Sequence, residues 1–351
     1  MIKLSDTLLK PLADAAGVSG AEDEVRRLIV KHIRPYVEDL RIDSMGNILA
    51  VKKGTGESDL RILVAAHMDE VGFMVTGIDS NGMLQVKNVG GVDARILPSL
   101  RVKVGKQKLP GVFCWKPIHL NRGDDVVSID NMRVDIGATS KSAAQSKVQL
   151  GDRIVFDSEV IEMNDVVIRG KAFDDRAGCA ELIEIIKGDP FPFDLLVAFT
   201  VQEEVGLRGA SVLGEALRPD AAIVLECTAC HEVPQPPEKA DQTTVTKLGH
   251  GPVISYMDRT SIAHVGLRRH FTQTAEANGI PHQFRSPQFA GGTDAGIIHK
   301  SIHGIPSQTI SLPGRYLHTP HIMMSMEDFS NGVKLVRAAL QTLSADVLEI
   351  N

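Results

Sequence analysis

An apolar, β-branched run that ends in two adjacent carboxylates is the feature that most restricts how this chain can fold. The run covers residues 194–202, and Glu203 and Glu204 follow it directly. Because side chains alternate along a strand, neighbours at its end face opposite ways. Where the strand gives way to a loop, both can reach one site, so one can bind a metal while the other moves a proton. Most Glu-Glu pairs are solvated surface, so the interpretation depends on what the other strands carry.

Other predicted strands end in residues of the types that bind metals. These candidates are His67 and Asp69 after the buried run 61–66, Glu226 after 221–225, His318 beyond 306–312, and Asp174 with Asp175 just before a helix. A single buried histidine is more often a hydrogen-bonded core residue than a ligand. In open α/β sheets, however, sites form outside the carboxyl ends of the strands. We therefore expect these residues to converge, although no local signature such as H-E-x-x-H joins them.

The order of the predicted elements indicates an α/β fold. Helical spacing of apolar residues predicts helices at 5–16, 22–36, 175–187, 209–217, 261–278 and 326–348. A hairpin is predicted over 40–52, and strands are predicted at 61–66, 195–202, 221–225 and 306–312. Strands that alternate with helices favour a mixed, mostly parallel sheet sandwiched by helices.

The segment from Val71 to Glu162 has a different pattern of apolar and turn-forming residues. Short alternating runs are separated by glycine- and asparagine-rich turns, and helical periodicity is nearly absent. This pattern predicts an inserted small β-barrel, closed by a strand at 153–156. We therefore divide the chain into a catalytic domain, residues 1–70 and 163–351, and a barrel domain, residues 71–162, that serves dimerisation or assembly.

Composition excludes some classes of function. The chain has 351 residues, a net charge of −6 and 43% hydrophobic residues, which argues for a packed core and against nucleic acid as the main partner. No stretch approaches the ~20 apolar residues of a membrane span. Four cysteines do not make a disulfide scaffold, which favours a reducing cytoplasm. Cys227 and Cys230 have C-x-x-C spacing, but without a second pair we interpret them as two thiols.

The chemistry of the candidates points to transition-metal ions. Imidazoles and carboxylates without a thiolate suit Zn or Co, and also Mn, in a site with positions open for water. Two such cations about 3.5–4 Å apart need a bridging anion, which one carboxylate can supply. The spacing of His67 and Asp69 lets a carboxylate hold the second ring nitrogen of a ligand histidine.

Six motifs, spread along nearly the whole chain, lie at residues 66–72, 135–138, 170–178, 201–210, 291–296 and 315–318. Together they resemble those of the tetrahedral (glutamyl or deblocking) aminopeptidases, a family of two-metal exopeptidases. Some members of that family carry the older label "cellulase M" or endo-1,4-glucanase.

The resemblance implies roles for the metal-binding residues. Asp174 would bridge two divalent cations. His67 and Glu226 would complete one site, and Glu204 and His318 the other. The family usually has Asp where Glu226 stands, and the extra methylene could shift that metal or favour bidentate binding.

The resemblance also implies the catalytic roles. Glu203 would be the general base, Asp69 would lie behind His67, and the peptide bond between Asp174 and Asp175 would be cis. Arg315 and the loop at 291–296 are candidates for shaping the specificity pocket, although a salt bridge and a tight turn would explain them equally well.

The expected activity is removal of N-terminal residues from short peptides through a water that bridges the two metals. A related two-metal carboxypeptidase or N-deacylase would share this chemistry and differ in its pocket. An endoglucanase would need two carboxyls flanking a sugar, but aromatic residues are only 4%, with one Trp, and the histidines would be unexplained. A non-catalytic binding protein would not need an intact set of base and ligands. The family further implies a homo-oligomer, from a dimer to a tetrahedral dodecamer.

Overall fold

The computed structural model describes residues 1–120, 126–230, 232, 246–285 and 291–349. The strands are β1 Glu38–Ile42, β2 Ile48–Lys52, β3 Arg61–His67, β4 Gly72–Ile78, β5 Leu84–Val89, β6 Arg101–Val104, β7 Leu109–Phe113, β8 Arg133–Asp135, β9 Arg153–Phe156, β10 Ile161–Glu162, β11 Val167–Gly170, β12 Asp194–Thr200, β13 Ala221–Ala229, β14 Val253–Ser255, β15 Gln283–Arg285, β16 Ser307–Gly314 and β17 Ile322–Ser325. The α-helices are α1 Leu9–Asp14, α2 Asp23–Ile33, α3 Lys141–Gln145, α4 Phe173–Lys187, α5 Leu213–Leu217, α6 Val265–Ala277, α7 Ala295–Ile298 and α8 Met326–Gln341. Among these residues, no helix has both the length and the apolar character needed to cross a bilayer.

A mixed eight-stranded sheet, in the order β1-β2-β12-β3-β13-β16-β14-β15, forms the centre of the molecule. Its four middle strands, β12, β3, β13 and β16, run parallel, and antiparallel pairs flank them. Along β3, Ile62 and Val64 join the core under α1, α2, α4, α6 and α8, whereas Leu63 and Ala65 face the opposite core, under α5 and α7. Both faces of the sheet are therefore covered by helices, as the sequence predicted.

A closed six-stranded barrel, in the order β4-β5-β8-β7-β6-β9, lies between β3 and β11 in the chain. Its own core is built on Phe73, whose ring lies 4.8 Å from that of Phe113 and 5.8 Å from that of Phe156. The predicted barrel is confirmed, and β9 closes it by pairing with β4 and β6. The barrel strands fall within 71–162, but β10, at the end of that range, pairs with β11 instead. The domain division at residues 70 and 163 stays a prediction.

The predicted helix ends were wrong where a side chain or a proline interrupts the main-chain hydrogen bonds. The segment predicted as one helix over 5–16 is a 3₁₀ turn followed by α1, because the Thr7 hydroxyl accepts from the Leu9 N–H and donates to the Leu4 carbonyl. Helix α2 ends at Ile33, ahead of Pro35. Helix α6 begins only at Val265, since the His264 ring caps it by accepting from the Leu267 N–H.

Several short elements were not predicted from the sequence. These are α3 and α7 among the helices, and β10, β11, β14, β15 and β17 among the strands. Each is five residues long or shorter, too short to show a periodic pattern. The predicted helix at 209–217 begins as a 3₁₀ turn, and the predicted helix at 326–348 is α-helical only to Gln341.

Candidate metal centre

The predicted ligands come from four strands and one helix that meet at the carboxyl edge of the parallel strands. His67 is the last residue of β3, and Asp174 lies in the first turn of α4. Strand β12 ends at Thr200, and the left-handed backbone of Gln202 then turns the chain so that Glu203 and Glu204 lie in a loop. His318 follows β16. Glu226 was expected just after a strand, but β13 continues to Ala229 because it pairs with β16 as far as Gly314.

Three of these side chains form a first buried group. The Nε2 atom of His67 lies 3.3 Å from Oδ1 of Asp174 and 3.4 Å from Oε1 of Glu226. One ligand atom from each residue lies within 4.8 Å of the other two. One imidazole and two carboxylates at this spacing can hold a single divalent cation.

A second group shares Asp174 with the first. Oδ2 of Asp174 lies 3.4 Å from Nε2 of His318, and the same nitrogen lies 3.4 Å from Oε1 of Glu204. The ligand atoms of this group also lie within 4.8 Å of one another. The two oxygens of Asp174 therefore face two different histidines, which is the arrangement that a bridging carboxylate needs.

The electrostatics of the two groups fit a cation at each. Burial raises the pKa of Glu226 to about 8 and that of Glu204 to about 7, because no positive charge on the protein fully offsets their loss of water. Burial opposes the charge on His318, but its hydrogen bond with Asp174 and the charge of Glu204 raise its pKa to about 9. So many buried carboxyl groups are costly unless cations pair with them. The residues thus fit divalent metal ions by donor type and by charge.

The peptide bond between Asp174 and Asp175 is cis, as the resemblance implied. The two side chains have separate partners. Oδ2 of Asp175 accepts from the main-chain N–H of His67 at 3.1 Å, and Oδ1 accepts from the N–H of Gly178 at 3.0 Å. A Cβ on Gly178 would lie 2.3 Å from the Asp175 carboxylate, so only glycine permits this approach.

Asp69 lies behind His67 and binds the loop that carries the two glutamates. Its Oδ1 lies 3.4 Å from Nδ1 of His67, a nitrogen that has no hydrogen-bond partner within the described ranges. The same carboxylate accepts from the hydroxyl of Ser19 at 2.6 Å. Ser19 has no motif around it that would have singled it out, because the contact joins residues fifty positions apart in the chain.

A buried ionic cluster lies beside the centre. The ammonium of Lys171 donates to both oxygens of Glu70 at 2.9 Å, and the guanidinium of Arg176 lies 3.3 Å from Glu70. Arg176 also donates to the carbonyls of Met68 and Leu12. Glu70 follows Asp69, and Lys171 and Arg176 flank Asp174, so this cluster joins the two segments that carry Asp174 and His67.

The remaining predicted residue, Glu203, is buried in the wall of a cavity of about 730 Å³ that opens at the centre. Burial raises its pKa well above the ordinary range; the charge on His67 lowers it, and that of Glu226 raises it further. Asp294, which lies in the 291–296 motif, is buried and accepts from the hydroxyl of Thr200. Its charge acts on Glu203 in the same direction as that of Glu226.

The two candidates for shaping the pocket have different positions. Gly291, Gly292 and Thr293 line the cavity. Arg315 donates to Glu232 at 2.7 Å and lies outside the described wall of the cavity, so the salt-bridge interpretation fits it. The wall contains two arginines that sequence reasoning missed, Arg259 and Arg285.

Comparison with protein families and curated proteins gives one consistent result. The family model described as M42 glutamyl aminopeptidase matches residues 46–335. A putative aminopeptidase of Acetivibrio thermocellus is 38% identical, with 95% of this chain and 97% of that protein covered. The glutamyl aminopeptidase of Lactococcus lactis is 32% identical and the lysyl aminopeptidase of Pyrococcus furiosus 31%, each with 96% of both chains covered.

Solved structures show the same fold. An aminopeptidase from Desulfurococcus kamchatkensis superimposes with a TM-score of 0.92 at 33% identity, covering 97% of this chain and 96% of that one. The TET1 peptidase of Pyrococcus horikoshii, described as able to assemble into a tetrahedron or a large octahedral shell, gives a TM-score of 0.85 at 34% identity, covering 95% and 98%. A Thermotoga maritima protein described as an endoglucanase gives 0.81 at 35%, covering 97% and 98%.

Proposed function

Because the chain belongs to the M42 glutamyl aminopeptidase family and is a metal-dependent aminopeptidase, we propose that two divalent cations and Glu203 carry out its reaction. The observation that supports this most strongly is the shared position of Asp174, whose two oxygens face His67 and His318 separately. The proposed ligands are His67 and Glu226 for one cation, Glu204 and His318 for the other, and Asp174 for both. Zn or Co, and also Mn, suits these donors.

When bound, two such cations lower the pKa of water towards neutrality and polarise the scissile carbonyl. The protein's own contribution to proton transfer is Glu203. Its raised pKa suits a group that accepts a proton from the attacking water and returns it to the leaving amine. The main chain of Glu203 is held by Asp69, so its carboxylate is presented from a fixed loop.

Glu226 in place of the usual Asp is compatible with this assignment. It extends from inside β13 rather than from the loop beyond it, and its Oε1 approaches His67 Nε2 as closely as the other ligands approach their partners. The same Oε1 atom of Glu226 also accepts a hydrogen bond from the main-chain N–H of Cys227, the next residue, at 3.1 Å. We propose that the longer side chain compensates for its position within the strand.

The proposed substrates are short peptides with a free N-terminus. The proposed ligands and Glu203 line the cavity of about 730 Å³, which leaves room for a short peptide beside the metal centre. A carboxylate of the centre would hold the α-amine, so that blocked peptides would bind poorly.

We further propose that the chain assembles into a closed homo-oligomer, from a dimer to a tetrahedral dodecamer, in the cytoplasm. The similar TET1 peptidase of Pyrococcus horikoshii supports the proposed assembly, because that protein is described as able to form a tetrahedron or a large octahedral shell. The barrel, which holds none of the proposed ligands, supports a role in assembly. Four unpaired thiols support a reducing compartment.

The test is a panel of aminoacyl-4-nitroanilides with the enzyme as prepared, after chelation, and after Zn or Co is added back. Leucyl-4-nitroanilide should be cleaved, its N-acetylated form should not, and soluble carboxymethyl cellulose should be inert. Cleavage of the acetylated compound at a similar rate would favour an N-deacylase. Release of C-terminal residues from blocked peptides would favour a carboxypeptidase.

A further inference from the structure

We propose that Gly90 and Gly91, a glycine pair directly after barrel strand β5, are positioning residues for the cation group of Glu204 and His318. Neither glycine belongs to the two ligand groups, so the pair acts through the side chains that it contacts. This inference rests on the proposed function, because it assumes that a cation binds between Glu204 and His318.

The glycine pair lies where the barrel meets the metal centre. Strand β4 begins at Gly72, which pairs with Val89, the last residue of β5. Gly90 therefore follows β5 at the point where the chain enters the barrel. The side chain of Asn88 holds this turn by donating to the carbonyl of Gly90 at 2.7 Å. Gly91 is part of the described wall of the cavity that contains the proposed ligands.

Gly90 packs against Glu204. A Cβ on Gly90 would lie 3.2 Å from the Cβ of Glu204 and 3.4 Å from its Oε2. The other oxygen of this carboxylate, Oε1, lies 3.4 Å from Nε2 of His318. The same Cβ would lie 2.8 Å from Cγ1 of Val71, and the backbone of Gly90 is left-handed, with a φ of +83°. Glycine at this position therefore lets Glu204 keep its place opposite His318.

Gly91 lies behind the ring of His318. A Cβ on Gly91 would lie 3.4 Å from Nδ1 of His318, whereas Nε2 of the same ring faces Asp174 and Glu204. Burial lowers the pKa of His318, and Asp174, Glu204 and the main chain of Gly91 raise it. A main-chain group raises the pKa of an imidazole when it accepts from the ring, so the partner is the Gly91 carbonyl. A carbonyl at the second ring nitrogen is a common way to orient a ligand histidine.

The two ligand groups are supported in different ways. The side chain of His67 is 2% exposed, ends β3 within the sheet and has Asp69 behind it. That of His318 is 38% exposed, and His318 lies in a loop beyond β16 with a left-handed φ of +59°. Its ring therefore depends on contacts from outside the sheet, and the barrel makes one of them. A change in the glycine pair should affect the group of Glu204 and His318 and spare that of His67 and Glu226.

The test is Gly90→Ala, with the cations counted directly. Elemental analysis after dialysis should show about one Zn per chain fewer than in the wild type. Calorimetric titration should show one site weakened by about 10- to 100-fold, the usual effect of disturbing a group that orients a ligand. Because every ligand is still present, activity should return as free Zn is raised, which a misfolded variant would not do.

Gly151→Ala is the matched control. Gly151 also lies in the barrel, ahead of β9, and has a φ of +90°. Among the described residues, no atom lies within 4 Å of the position that its Cβ would take. The two variants therefore introduce similar backbone strain, and only Gly90→Ala adds a contact with Glu204. Gly151→Ala should keep both cations at wild-type affinity.

Gly91→Val tests the other half of the pair and does not depend on whether Gly90→Ala folds. Gly91 is not among the residues with a left-handed backbone, so a side chain there adds no strain of that kind. Valine branches at Cβ, so it cannot turn both methyl groups away from the ring of His318. This variant should weaken the same cation and leave the other bound.

Two cations bound with wild-type affinity in both Gly90→Ala and Gly91→Val would overturn the inference. An equal loss of metal from Gly151→Ala would also overturn it, because strain in the barrel would then be the cause. If Gly90→Ala lost both cations together, the pair would support the whole centre, and the inference as stated would be wrong. An active wild type that holds no cation would instead refute the proposed function.

Discussion

The main-chain N–H of Glu203 donates to Oδ1 of Asp69 at 2.9 Å, and the N–H of Glu204 donates to Oδ2 of the same carboxylate at 3.2 Å. Asp69 is fully buried and lies against the His67 ring. One side chain therefore connects the loop after β3 with the loop after β12. It therefore holds in place the proposed general base and one proposed ligand from each of the two groups, His67 and Glu204.

Asp69→Asn should weaken metal binding and activity by about 10- to 100-fold, the usual effect of removing a group that orients a ligand. An amide has one acceptor oxygen where the carboxylate has two, so one of the two N–H donors is left unpaired. Isothermal titration with Zn and the value of kcat measure the two effects. Ser19→Ala, which removes only the hydroxyl donor to Asp69, should cost less. Unchanged metal affinity in Asp69→Asn would show that the contact does not orient the centre.

Glu203→Gln should keep both metals and lose about 10²–10⁴-fold in kcat, the range for loss of a general base. Glu204→Gln should instead lower metal content, because Glu204 lies against His318 in the second ligand group. Metal analysis and kinetics on the same preparations distinguish the loss of a general base from the loss of a metal ligand. If the variants showed each other's phenotypes, the roles of this adjacent pair would have to be exchanged.

Removing one histidine should remove one metal. His67→Ala should lose the cation shared with Glu226, and His318→Ala the cation shared with Glu204, whereas Asp174→Asn should lose both because it belongs to both groups. Elemental analysis after dialysis gives the number of ions per chain. Chelation of the wild type should abolish activity, and an active enzyme that holds no transition metal would contradict the proposed chemistry.

The sequence predicted which candidate ligands would come together better than it predicted which other side chains would surround them. The convergence of His67 with Glu203 and Glu204 could be expected, because parallel strands bring their carboxyl ends to one edge. The roles of Glu203 and Glu204 came from family resemblance alone, since two adjacent carboxylates have no local pattern that tells them apart. Arg259 and Arg285 lie in short segments without periodicity, and their place in the cavity wall depends on the tertiary fold.

The helix ends illustrate a second limit. Apolar periodicity identified α2, α6 and α8, because each buries one face against the sheet. Helix α4 is buried on nearly every side, so its apolar residues show no such stripe. It could not locate the start of α6, which depends on a ring nitrogen of His264 accepting from one N–H group. Such a cap is one contact among many that histidine can make, so it leaves no signature in the sequence.

A buried carboxyl on α4 should make stability depend on pH. Glu181 is fully buried, has no hydrogen-bond partner in the described part of the chain, and its pKa is raised by burial from 4.5 to about 8. Between those values the folded protein keeps a proton that the unfolded chain has lost, so stability falls as pH rises. Glutamine does not titrate, so the Glu181→Gln variant should not lose stability in this way. The difference in Tm between the variant and the wild type should therefore increase in favour of the variant from pH 5 to pH 8.

The measurement is differential scanning fluorimetry of both proteins with excess metal at each pH. A difference of one pKa unit corresponds to about 1.4 kcal/mol, so the effect is large enough to detect. Glu184→Gln is the control, since Glu184 lies on the same helix and already binds Lys187 at 2.8 Å. Parallel Tm curves for Glu181→Gln and wild type would contradict the raised pKa of Glu181 in the folded protein.

The barrel should hold the chain in an oligomer. Large apolar side chains of the barrel segment are exposed, among them Val112, Trp115, Leu120 and Val126. Exposed apolar residues that form one patch typically mark a protein interface. Closed symmetry is the usual form of soluble homo-oligomers.

Light scattering at micromolar concentration with metal present should give a mass twelve times the 38.0 kDa of the chain for a dodecamer. Twice that mass would support only a dimer. Trp115→Asp should shift the mass downwards while leaving the metal content unchanged, because Trp115 belongs neither to the two ligand groups nor to the described wall of the cavity. A wild-type mass near 38.0 kDa would end the assembly proposal, and the barrel would then need another explanation.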